Sequence, residues 1–551
     1  MDEALLRVIL RRLGRLLLVG VPLAFLTIFF AYPVAAIVLR GLRPAGQWDL
    51  GVVGEVLGEP ALRRVLWFTT WQAAVSTLLT VVVAMPAAWC FARLEFRGKR
   101  LLWASLIVPF VLPTVVVGAA FLGLVGPRSP LGVDLRGTVW AILLAHVFFN
   151  YAVVVRTVGG LWMHLDPHLE EAARVLGAGW WQSFRRVTWP LLRPAVAAAA
   201  SIVFLFTFTS FGVVLILGGP RYRTLEVEIY TQTARLLNLD TAAVLALVQL
   251  VAVVAVLFVY ARYQERRSVS QLLRPATETA RPLAGWRDRA LLGVNLAVIG
   301  VLLAAPLAVL VGRSLSTPGG WGLDAYRALD TSRRGSVLFV APLDAVRNSL
   351  LFAGAATLIA LVVGTMAAFA IAGRGAARTA RWIDTFLMIP LGTSAVTVGF
   401  GFLIALDRPP LDLRDSLALL PIAHALVAVP FVIRLLVPTL RSIDPRLREA
   451  AAVLGARPAR VWREVDLPLV GRALLAAAGF AFAVSLGEFG ATVFLARSQW
   501  PTLPIAIYRF LGQPGPLNFA QAAALSTILM GLTVAVMLAI ERVRVGRIGE
   551  F

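Results

Sequence analysis

Three side chains inside long apolar runs have types that could do chemistry: His146, His424 and Glu488. Histidine can bind a metal ion or carry a proton, and a carboxylate inside a membrane span is costly enough to indicate a function. The four histidines of the chain form neither a His-Glu-x-x-His zinc motif nor a catalytic triad. The sequence therefore predicts no enzyme active site. Two interpretations of His146 and His424 stay open. They could be iron ligands, or each could form a hydrogen bond between helices that is common to both halves of the chain; we favour the second interpretation.

His146 and His424 are related by a constant offset along the chain, and the same offset relates two longer segments. The first reads DPHLEEAARVLGAGWWQSFRRVTWP, from Asp166 to Pro190, and the second reads DPRLREAAAVLGARPARVWREVDLP, from Asp444 to Pro468. In each copy Asp-Pro predicts the cap and first position of a short helix, Glu-Ala-Ala its body, and the following Gly its end or a kink. A second short helix is predicted to run as far as the terminal Pro.

The elements that carry these residues are apolar and long. Hydrophobic residues make up 59% of the 551 residues and charged residues 15%, whereas soluble proteins average about 45–50% and about 25%. Runs of about 20 apolar residues cross a bilayer as helices. The sequence thus predicts an all-α polytopic membrane protein of about twelve helices, at 16–40, 65–92, 101–125, 138–160, 195–218, 241–261, 289–312, 348–373, 382–406, 415–440, 471–496 and 520–540.

Six predicted spans separate the two repeated segments, so the halves are expected to be parallel repeats. We predict a first membrane domain over 1–263, a polar linker over 264–288 and a second membrane domain over 289–551. The arginines behind the net charge of +22 fall in alternate loops, which favours cytoplasmic N- and C-termini over nucleic-acid binding. The first apolar run is longer than the core of a signal peptide and is expected to stay as a span. A single cysteine, Cys90, excludes an internal disulfide and a cysteine-based metal site.

The repeated segments resemble the EAA signature of ABC importer permeases, with Val187 and Val465 at its Ile position. The resemblance covers essentially the whole chain, as two six-span units of the type I importer permease fold in a bacterial inner membrane. It implies that each segment is a coupling helix seated on a cytoplasmic ATPase subunit. The coupling residues it implies are Glu171, Ala172, Ala173, Gly177, Pro190, Glu449, Ala450, Ala451, Gly455 and Pro468.

The partners expected from this resemblance are two ABC ATPase subunits and an extracytoplasmic solute-binding protein. A phosphate-binding G-x4-G-K-[ST] motif is not found in the sequence. We therefore expect no catalytic activity and no cofactor in this chain, with ATP and Mg²⁺ bound by the partner ATPase. An ion-coupled secondary transporter is a more remote alternative, since Glu488 is its only strong candidate acid.

The expected solute is thiamine or a phosphate ester of it, with ferric iron as the alternative. The stretches AILLAHVFFNYAVVVRT from Ala141, TSFGVVLILGGP from Thr209 and WQAAVSTLL from Trp71 resemble the thiamine-importer branch, while SLGEFGATVFL from Ser485 is common to both branches. A flat organic cation favours aromatic and acidic surroundings. The predicted translocation pathway therefore comprises Trp71, His146, Asn150, Ser210, Phe211, His424, Glu488 and Phe489. For Glu488 a structural hydrogen bond to a neighbouring helix is the equal alternative.

Overall fold

The computed structural model describes residues 3–43, 46–127, 129–267, 274–317, 320–331, 336–372, 384–407, 409 and 411–544. The prediction of an all-α chain is confirmed, because the strands of the described residues form only two-residue pairs, Leu94–Glu95 with Arg281–Pro282 and Ser316–Thr317 with Gly320–Trp321. The α-helices are Glu3–Leu26, Tyr32–Leu42, Gly51–Gly58, Pro60–Arg93, Lys99–Ser105, Ile107–Val111, Thr114–Val125, Val139–His164, His168–Val175, Trp180–Ser183, Trp189–Phe208, Gly212–Leu217, Leu225–Ala234, Leu239–Arg267, Ala276–Thr279, Gly285–Ile299, Ala305–Leu315, Asp324–Arg327, Pro342–Ala372, Ala395–Ala405, Leu419–Ser442, Pro445–Val453, Pro458–Val461, Leu467–Gly487, Thr492–Leu495, Leu503–Leu511 and Pro516–Arg544.

Ten helices in the described part of the chain are long and apolar enough to cross a membrane, or eleven if a bent pair counts as one span. They are Leu16–Leu42, Pro60–Arg93, Val139–His164, Trp180–Phe208, Leu239–Gln264, Gly285–Leu315, Pro342–Ala372, Leu419–Ser442, Trp462–Gly487 and Pro516–Arg542. The chain is therefore a multi-pass membrane protein. Its spans depart from the twelve predicted ones at four places.

The predicted span 101–125 is a bent pair, Lys99–Val111 and Thr114–Val125, with an angle of 99° between its parts. Pro113 causes the bend, because a residue before proline avoids helical dihedrals and Leu112 is extended, with ψ 139°. The predicted span 382–406 is broken: residues 384–388 are helical, a 3₁₀ turn follows at Ile389–Gly392, and a separate apolar helix runs over Ala395–Ala405. Residues 382 and 383 lie outside the described residues.

The predicted spans 195–218 and 471–496 are too long at their C-terminal ends. The helices stop at Phe208 and Gly487, and short helices follow at Gly212–Leu217 and Thr492–Leu495. Hydropathy does not detect these stops because apolar residues continue past them. The polar groups at the breaks, Ser210 and Glu488, contact buried histidines instead.

Four π-helical turns interrupt the long helices, and each ends two residues before a proline. They are Thr27–Ala31, Phe184–Thr188, Gly300–Ala304 and Trp462–Asp466, followed by Pro33, Pro190, Pro306 and Pro468. Proline has no N–H to donate and its ring collides with the carbonyl four residues before it. Widening the preceding turn removes that collision, and the helix continues past the proline.

One compact unit comprises residues 51–232 and 245–322. In it the helix Pro60–Arg93 packs against Val139–His164 and Trp189–Phe208. Small residues let the backbones approach: a methyl group on Gly159 would lie 3.3 Å from the carbonyl oxygen of Ala88. The helix Ala305–Leu315, which follows the linker in sequence, also belongs to this unit and packs on Thr114–Val125.

The other compact unit comprises residues 1–50, 233–244 and 323–551. Its core helices are Pro342–Ala372, Leu419–Ser442 and Leu467–Gly487, and the N-terminal helix Glu3–Leu26 packs on the first of these. Each unit therefore contains the first helix of the other sequence half. The predicted halves 1–263 and 289–551, with the linker 264–288, describe the sequence repeat and stay a prediction.

Candidate functional site

The first repeated segment, here called the first coupling segment (Asp166–Pro190), begins with a short capped helix. The carboxylate of Asp166 accepts the backbone N–H of His168 at 3.0 Å, at the start of the helix His168–Val175. This satisfies one of the N–H groups that a helix start leaves without a partner. The predicted cap is confirmed.

The second coupling segment (Asp444–Pro468) repeats this geometry. Asp444 accepts the backbone N–H of Arg446 at 2.9 Å, and Pro445 is the first residue of the helix Pro445–Val453. Proline suits that position because its fixed φ is helical and its missing N–H has no role there.

Both helices end at the predicted glycine. Gly177 and Gly455 have φ of 85° and 80°, in the left-handed region that other residues avoid. The N–H of Gly177 bonds to the carbonyl of Arg174 at 2.9 Å, and that of Ala178 to the carbonyl of Ala173 at 3.0 Å. Gly455 and Ala456 make the equivalent pair of bonds. This is a Schellman ending, so the glycines terminate the helices rather than kink them.

The prediction of a separate second helix in each segment is wrong. The structure has a continuous helix from Trp180 to Phe208 and another from Trp462 to Gly487, so the second part of each segment is the start of the next span. Pro190 and Pro468 lie within these helices, which the π-turns allow. The coupling helix is thus joined at its C-terminal side to the end of a membrane span.

A side-chain bond ties each coupling helix to the span that follows it. In the first segment the hydroxyl of Thr188 donates to Glu170 at 2.7 Å. In the second, the Nε of Arg448 donates to Asp466 at 2.7 Å. These pairs occupy the same positions of the repeat, with different chemistry. The tie is therefore retained in position while the residues that make it differ.

The predicted coupling residues lie on the surface of the segments. Glu171, Ala172, Gly177 and Pro190 are exposed, Ala173 is half-buried, and their counterparts Glu449, Ala450, Gly455, Pro468 and Ala451 repeat this pattern. The sequence analysis missed the most exposed apolar pairs, Val175 with Leu176 and Val453 with Leu454, each 86–88% exposed. The signal was present, because Val-Leu-Gly occurs in both copies. Exposed apolar side chains at the same place twice indicate a docking surface.

The linker holds the first coupling segment in a set of contacts that we call the linker clasp (residues 274–282 against 163–166 and 94–95). Arg274 donates from Nε to Asp166 at 2.8 Å, and its N–H and carbonyl both bond to His164. The hydroxyl of Thr279 donates to the carbonyl of Met163, and Arg281–Pro282 pairs with Leu94–Glu95 as parallel strands. In the described residues no comparable contact holds Asp444.

The hydrogen-bond partners of Asp166 set its protonation. Hydrogen bonds from the side chain and the backbone N–H of His168, together with the Arg274 guanidinium, hold the pKa of this carboxyl below its usual range. Asp166 is therefore a carboxylate at neutral pH, and the contact to Arg274 is charged on both sides.

A buried histidine lies in the interior of the unit 51–232 and 245–322. His146 bonds through Nδ1 to the hydroxyl of Ser76 at 3.0 Å and through Nε2 to that of Ser210 at 2.8 Å. Asn150 donates to the carbonyl of His146 at 3.0 Å, and its own carbonyl oxygen has no partner among the described residues. His146 therefore connects its helix to two neighbouring elements, in agreement with the interpretation that it forms hydrogen bonds between helices.

The second histidine site contains an acid where the first has Ser210. His424 bonds through Nδ1 to Ser485 and through Nε2 to Thr492, both at 2.8 Å. Oε2 of Glu488 lies 3.3 Å from that Nε2 and accepts the hydroxyl of Thr492 at 2.6 Å. Because the Thr492 hydroxyl donates to the carboxylate, it accepts from His424, which assigns the ring proton to Nε2.

Glu488 also caps the short helix that follows it. Its two carboxylate oxygens accept the backbone N–H groups of Ala491 at 2.9 Å and Thr492 at 3.1 Å. The side chain is 5% exposed. These contacts support the structural alternative for Glu488, and its role in the pathway stays a prediction.

The remaining predicted pathway residues lie in equivalent aromatic pairs or at the surface. Phe211 packs edge to face on Tyr230, with ring centroids 5.6 Å apart, and Phe489 packs on Tyr508 at 5.5 Å. Both phenylalanines are buried, whereas Trp71 is 38% exposed. The structure thus gathers His146, Asn150 and Ser210 in one unit and His424 and Glu488 in the other. Among the described residues no group of three or more His, Cys, Asp or Glu side chains could hold a metal ion.

Comparison with known proteins places this geometry in a family. Residues 80–269 match the binding-protein-dependent transport system inner membrane components. Over 269 residues, 48% of this chain and 97% of the relative, the chain is 30% identical to a putative 2-aminoethylphosphonate transport system permease protein of Salmonella choleraesuis. The chain belongs to this family. It is a non-catalytic permease of the ABC importer type, a class that works with ATPase subunits and a binding protein.

One relative matches almost end to end. The chain is 29% identical over 547 residues to the thiamine transport system permease protein of Brucella abortus (strain 2308), covering 96% of this chain and 95% of the relative. Among solved structures, the chain is similar to a chain of a bacterial ABC transporter involved in the import of the acidic polysaccharide alginate. The match spans 48% of this chain and 100% of the other, with 19% identity and a TM-score of 0.40.

Proposed function

We propose that this permease imports thiamine or a phosphate ester of thiamine. The observation that carries the proposal is the likeness to a thiamine transport permease along 96% of the chain. The similarity includes both membrane halves and both coupling segments, so it concerns the whole transport unit rather than one shared motif.

The two coupling segments each receive one ATPase subunit in this proposal, and ATP and Mg²⁺ are bound by those partners. The support is the exposed apolar tip of each segment, Val175-Leu176 and Val453-Leu454, on a helix that is capped at both ends. A rigid helix tied to the next span by Glu170–Thr188 or Arg448–Asp466 can transmit movement of a partner to the membrane. The Ala residues between tip and cap leave room for the partner's backbone.

Both termini and both segments lie in the cytoplasm in the same proposal. Basic residues next to the first segment support this orientation: Arg93, Arg97, Lys99 and Arg100 follow one span, and the linker clasp adds Arg274 and Arg281. Arg and Lys in short loops favour the cytoplasmic side. Cysteine labelling of Ala172 and Ala450 in a Cys90→Ala chain tests it, because a reagent that does not cross the membrane should react only from the inside.

The transport test is uptake by proteoliposomes that contain this chain, its ATPase and its binding protein. We expect ATP-dependent accumulation of labelled thiamine, competed by unlabelled thiamine and not by ferric citrate. Continued uptake without ATP but with a proton gradient would indicate a secondary transporter, and accumulation of ⁵⁵Fe³⁺ instead of thiamine would indicate an iron importer.

The coupling role of the segments is tested with the double variant Glu171→Ala/Glu449→Ala. Both side chains are exposed, so their loss should leave insertion and folding unchanged, since exposed substitutions usually alter stability by less than about 0.5 kcal/mol. We expect the variant to bind the binding protein but to lose thiamine-stimulated ATP hydrolysis. Unchanged uptake by this variant would contradict the coupling role of the segments.

A further inference from the structure

A cavity of about 470 Å³ opens in the unit 1–50, 233–244 and 323–551, between the loop before the helix Leu419–Ser442 and the loop after Thr492–Leu495. Its volume is within the range of small-molecule sites, about 300–1,000 Å³. The ring of Phe494 forms part of its wall, whereas Phe402 behind it is only 1% exposed, and Arg414 and Arg497 contribute guanidinium groups. The cavity thus combines one aromatic surface with cationic hydrogen-bond donors.

The cavity lies at the end of the membrane span remote from the second coupling segment. The helix Leu419–Ser442 begins at the cavity and ends where that segment starts. Its 24 residues extend about 36 Å at 1.5 Å per residue, enough to cross a bilayer. With the coupling segments in the cytoplasm, the cavity faces the side from which solute arrives.

An arginine holds the two loops of the cavity together. Nη2 of Arg497 donates to the carbonyl of Arg414 at 2.6 Å and to the carboxylate of Asp415 at 2.9 Å. The Arg497 side chain is 34% exposed and that of Asp415 is 99% exposed. Asp415 is therefore well hydrated, and its carboxylate can be displaced by a stronger anion while Arg497 keeps its bond to the backbone.

The first half of the chain keeps the arginine, as Arg136 in place of Arg414, but lacks the charged pair. The counterparts of Asp415 and Arg497 in the repeat are Gly137 and Gly219, both with positive φ. Gly137 donates its N–H to Leu217 at 2.9 Å, and a methyl group on Gly219 would lie 3.5 Å from the Cα of Gly137. There the loops meet by backbone contact, whereas in the second half the Arg497–Asp415 pair joins them. The charged pair at the cavity is thus a feature of the second half and not of the repeat.

We propose that this cavity binds a planar organic ligand with a phosphate group and, resting on the proposed function, that this ligand is a phosphate ester of thiamine. The phosphate takes the place of the Asp415 carboxylate on Arg497 and gains Arg414, because guanidinium groups bind phosphate through paired hydrogen bonds. A phosphate monoester carries about −1.5 to −2 charges at pH 7, so it competes well against one exposed carboxylate. A ring of the ligand lies against Phe494.

The test is equilibrium dialysis of the full chain in phosphatidylcholine nanodiscs against labelled thiamine monophosphate and labelled thiamine. We expect tighter binding of the monophosphate, and Arg497→Gln and Arg414→Gln should each weaken it by about tenfold or more, the usual effect of losing a hydrogen bond to a charged group. The affinity for thiamine should change by less than about twofold in these variants, because thiamine has no phosphate group to contact the arginines. Asp415→Asn should tighten binding of the monophosphate, since it removes the competing carboxylate.

The matched control is Arg136→Gln, because Arg136 is the counterpart of Arg414 in the repeat and pairs with Asp134 at an exposed site in the first half. Equal loss of monophosphate binding in Arg136→Gln and Arg497→Gln would overturn the proposal, as would equal affinity of the wild-type chain for thiamine and its monophosphate. Thermal unfolding of each variant checks that it is folded.

A docked protein side chain is the other possible occupant, and the same variants identify it. If neither labelled compound binds the chain but Arg497→Gln weakens its complex with the binding protein, the cavity receives an acidic residue of that protein and the proposal is wrong. The proposed function fails separately, when the complete transporter takes up neither thiamine nor its esters. The cavity proposal alone fails if the complete transporter still takes up thiamine in the Arg497→Gln variant, while uptake of the monophosphate falls equally in Arg497→Gln and in the control Arg136→Gln.

Discussion

Glu488 offers the sharpest test of what the buried acid does. Its carboxylate accepts three hydrogen bonds, from the backbone N–H groups of Ala491 and Thr492 and from the Thr492 hydroxyl, at 2.9, 3.1 and 2.6 Å. Glu488→Ala leaves both N–H groups buried without an acceptor. Each orphaned group costs about 1–3 kcal/mol, so the variant should lose about 2–6 kcal/mol of stability. Glu488→Gln keeps one acceptor oxygen and should lose about half of that.

The first half supplies a matched control, because Ser210 holds the position of Glu488 beside His146. Ser210→Ala removes the bond of 2.8 Å to His146 and should cost only about 0.5–1.5 kcal/mol, the net value of one hydrogen bond. The expected order of destabilisation is therefore Glu488→Ala, then Glu488→Gln, then Ser210→Ala.

A thiol-reactive dye can follow unfolding separately in each compact unit. Native Cys90 is 1% exposed and reports on the unit that contains Ser210. For Glu488 the reporter is Ala481→Cys in a Cys90→Ala chain, since Ala481 is 0% exposed on the helix that ends at Gly487. The dye reacts only when the cysteine becomes accessible, so the midpoint of labelling on heating measures the stability of that unit.

The unfolding midpoints and the uptake of the same variants decide between the two interpretations of Glu488. If Glu488 is a structural cap, uptake and stability should fall together, and uptake at a temperature well below the midpoint should recover. If it also contacts solute, Glu488→Gln should still lack uptake at a temperature well below its own midpoint. Unchanged midpoints in both Glu488 variants would refute the hydrogen-bond reasoning altogether.

Three further outcomes test the coupling segments. Gly455→Ala should destabilise the end of its helix by about 1–2 kcal/mol, because Gly455 has a left-handed backbone, although no neighbour lies within 4 Å. The variant should therefore lose stimulation of the ATPase, whereas the control Gly471→Ala, at an equally open glycine on the next helix, should keep it. Equal stimulation in both variants would contradict the prediction. Leu176→Asp and Leu454→Asp should each weaken ATPase binding without changing stability, because both side chains are 86–87% exposed, and pull-down of the ATPase measures this. The linker clasp should hold at pH 5–8 and loosen only below about pH 4. The lowered pKa of the Asp166 carboxyl stabilises the clasp above the ordinary aspartate pKa, and this stability is lost as pH falls through the lowered pKa. At pH 7, hydrogen exchange at 274–282 should rise in Asp166→Asn and stay low in the control Asp444→Asn.

The sequence was sufficient for both ends of the short helix in each repeated segment. The Asp caps at 166 and 444 and the glycine ends at 177 and 455 follow from local dihedral and hydrogen-bond rules, so they could be predicted without any neighbour. The breaks after Phe208 and Gly487 could not, because they depend on contacts of Ser210 and Glu488 with histidines that lie on a different helix, far away along the chain. Hydropathy averages over such positions and extends the span past them.

The exchange of first helices between the units was also beyond the sequence. The helix Glu3–Leu26 and the helix Gly285–Ile299 both have enough apolar residues to pack on either half, and periodicity does not say which partner they choose. Close approach decides it at particular positions: a methyl group on Gly401 would lie 3.0 Å from the side chain of Pro33. A contact of this kind is visible only once both chain segments are placed.

The two halves keep backbone geometry and replace side-chain chemistry at matching positions. Glu170–Thr188 becomes Arg448–Asp466, Ser210 becomes Glu488, and Gly137–Gly219 becomes Asp415–Arg497, each at one offset. Selection on the fold alone would tolerate the first exchange, because either pair ties helix to span. The last exchange replaces a backbone contact between two loops by a charged pair, and it adds charge at a cavity on the side where, in the proposed orientation, solute enters. An importer with one pathway needs only one such site, and the unequal loops of the two halves provide one.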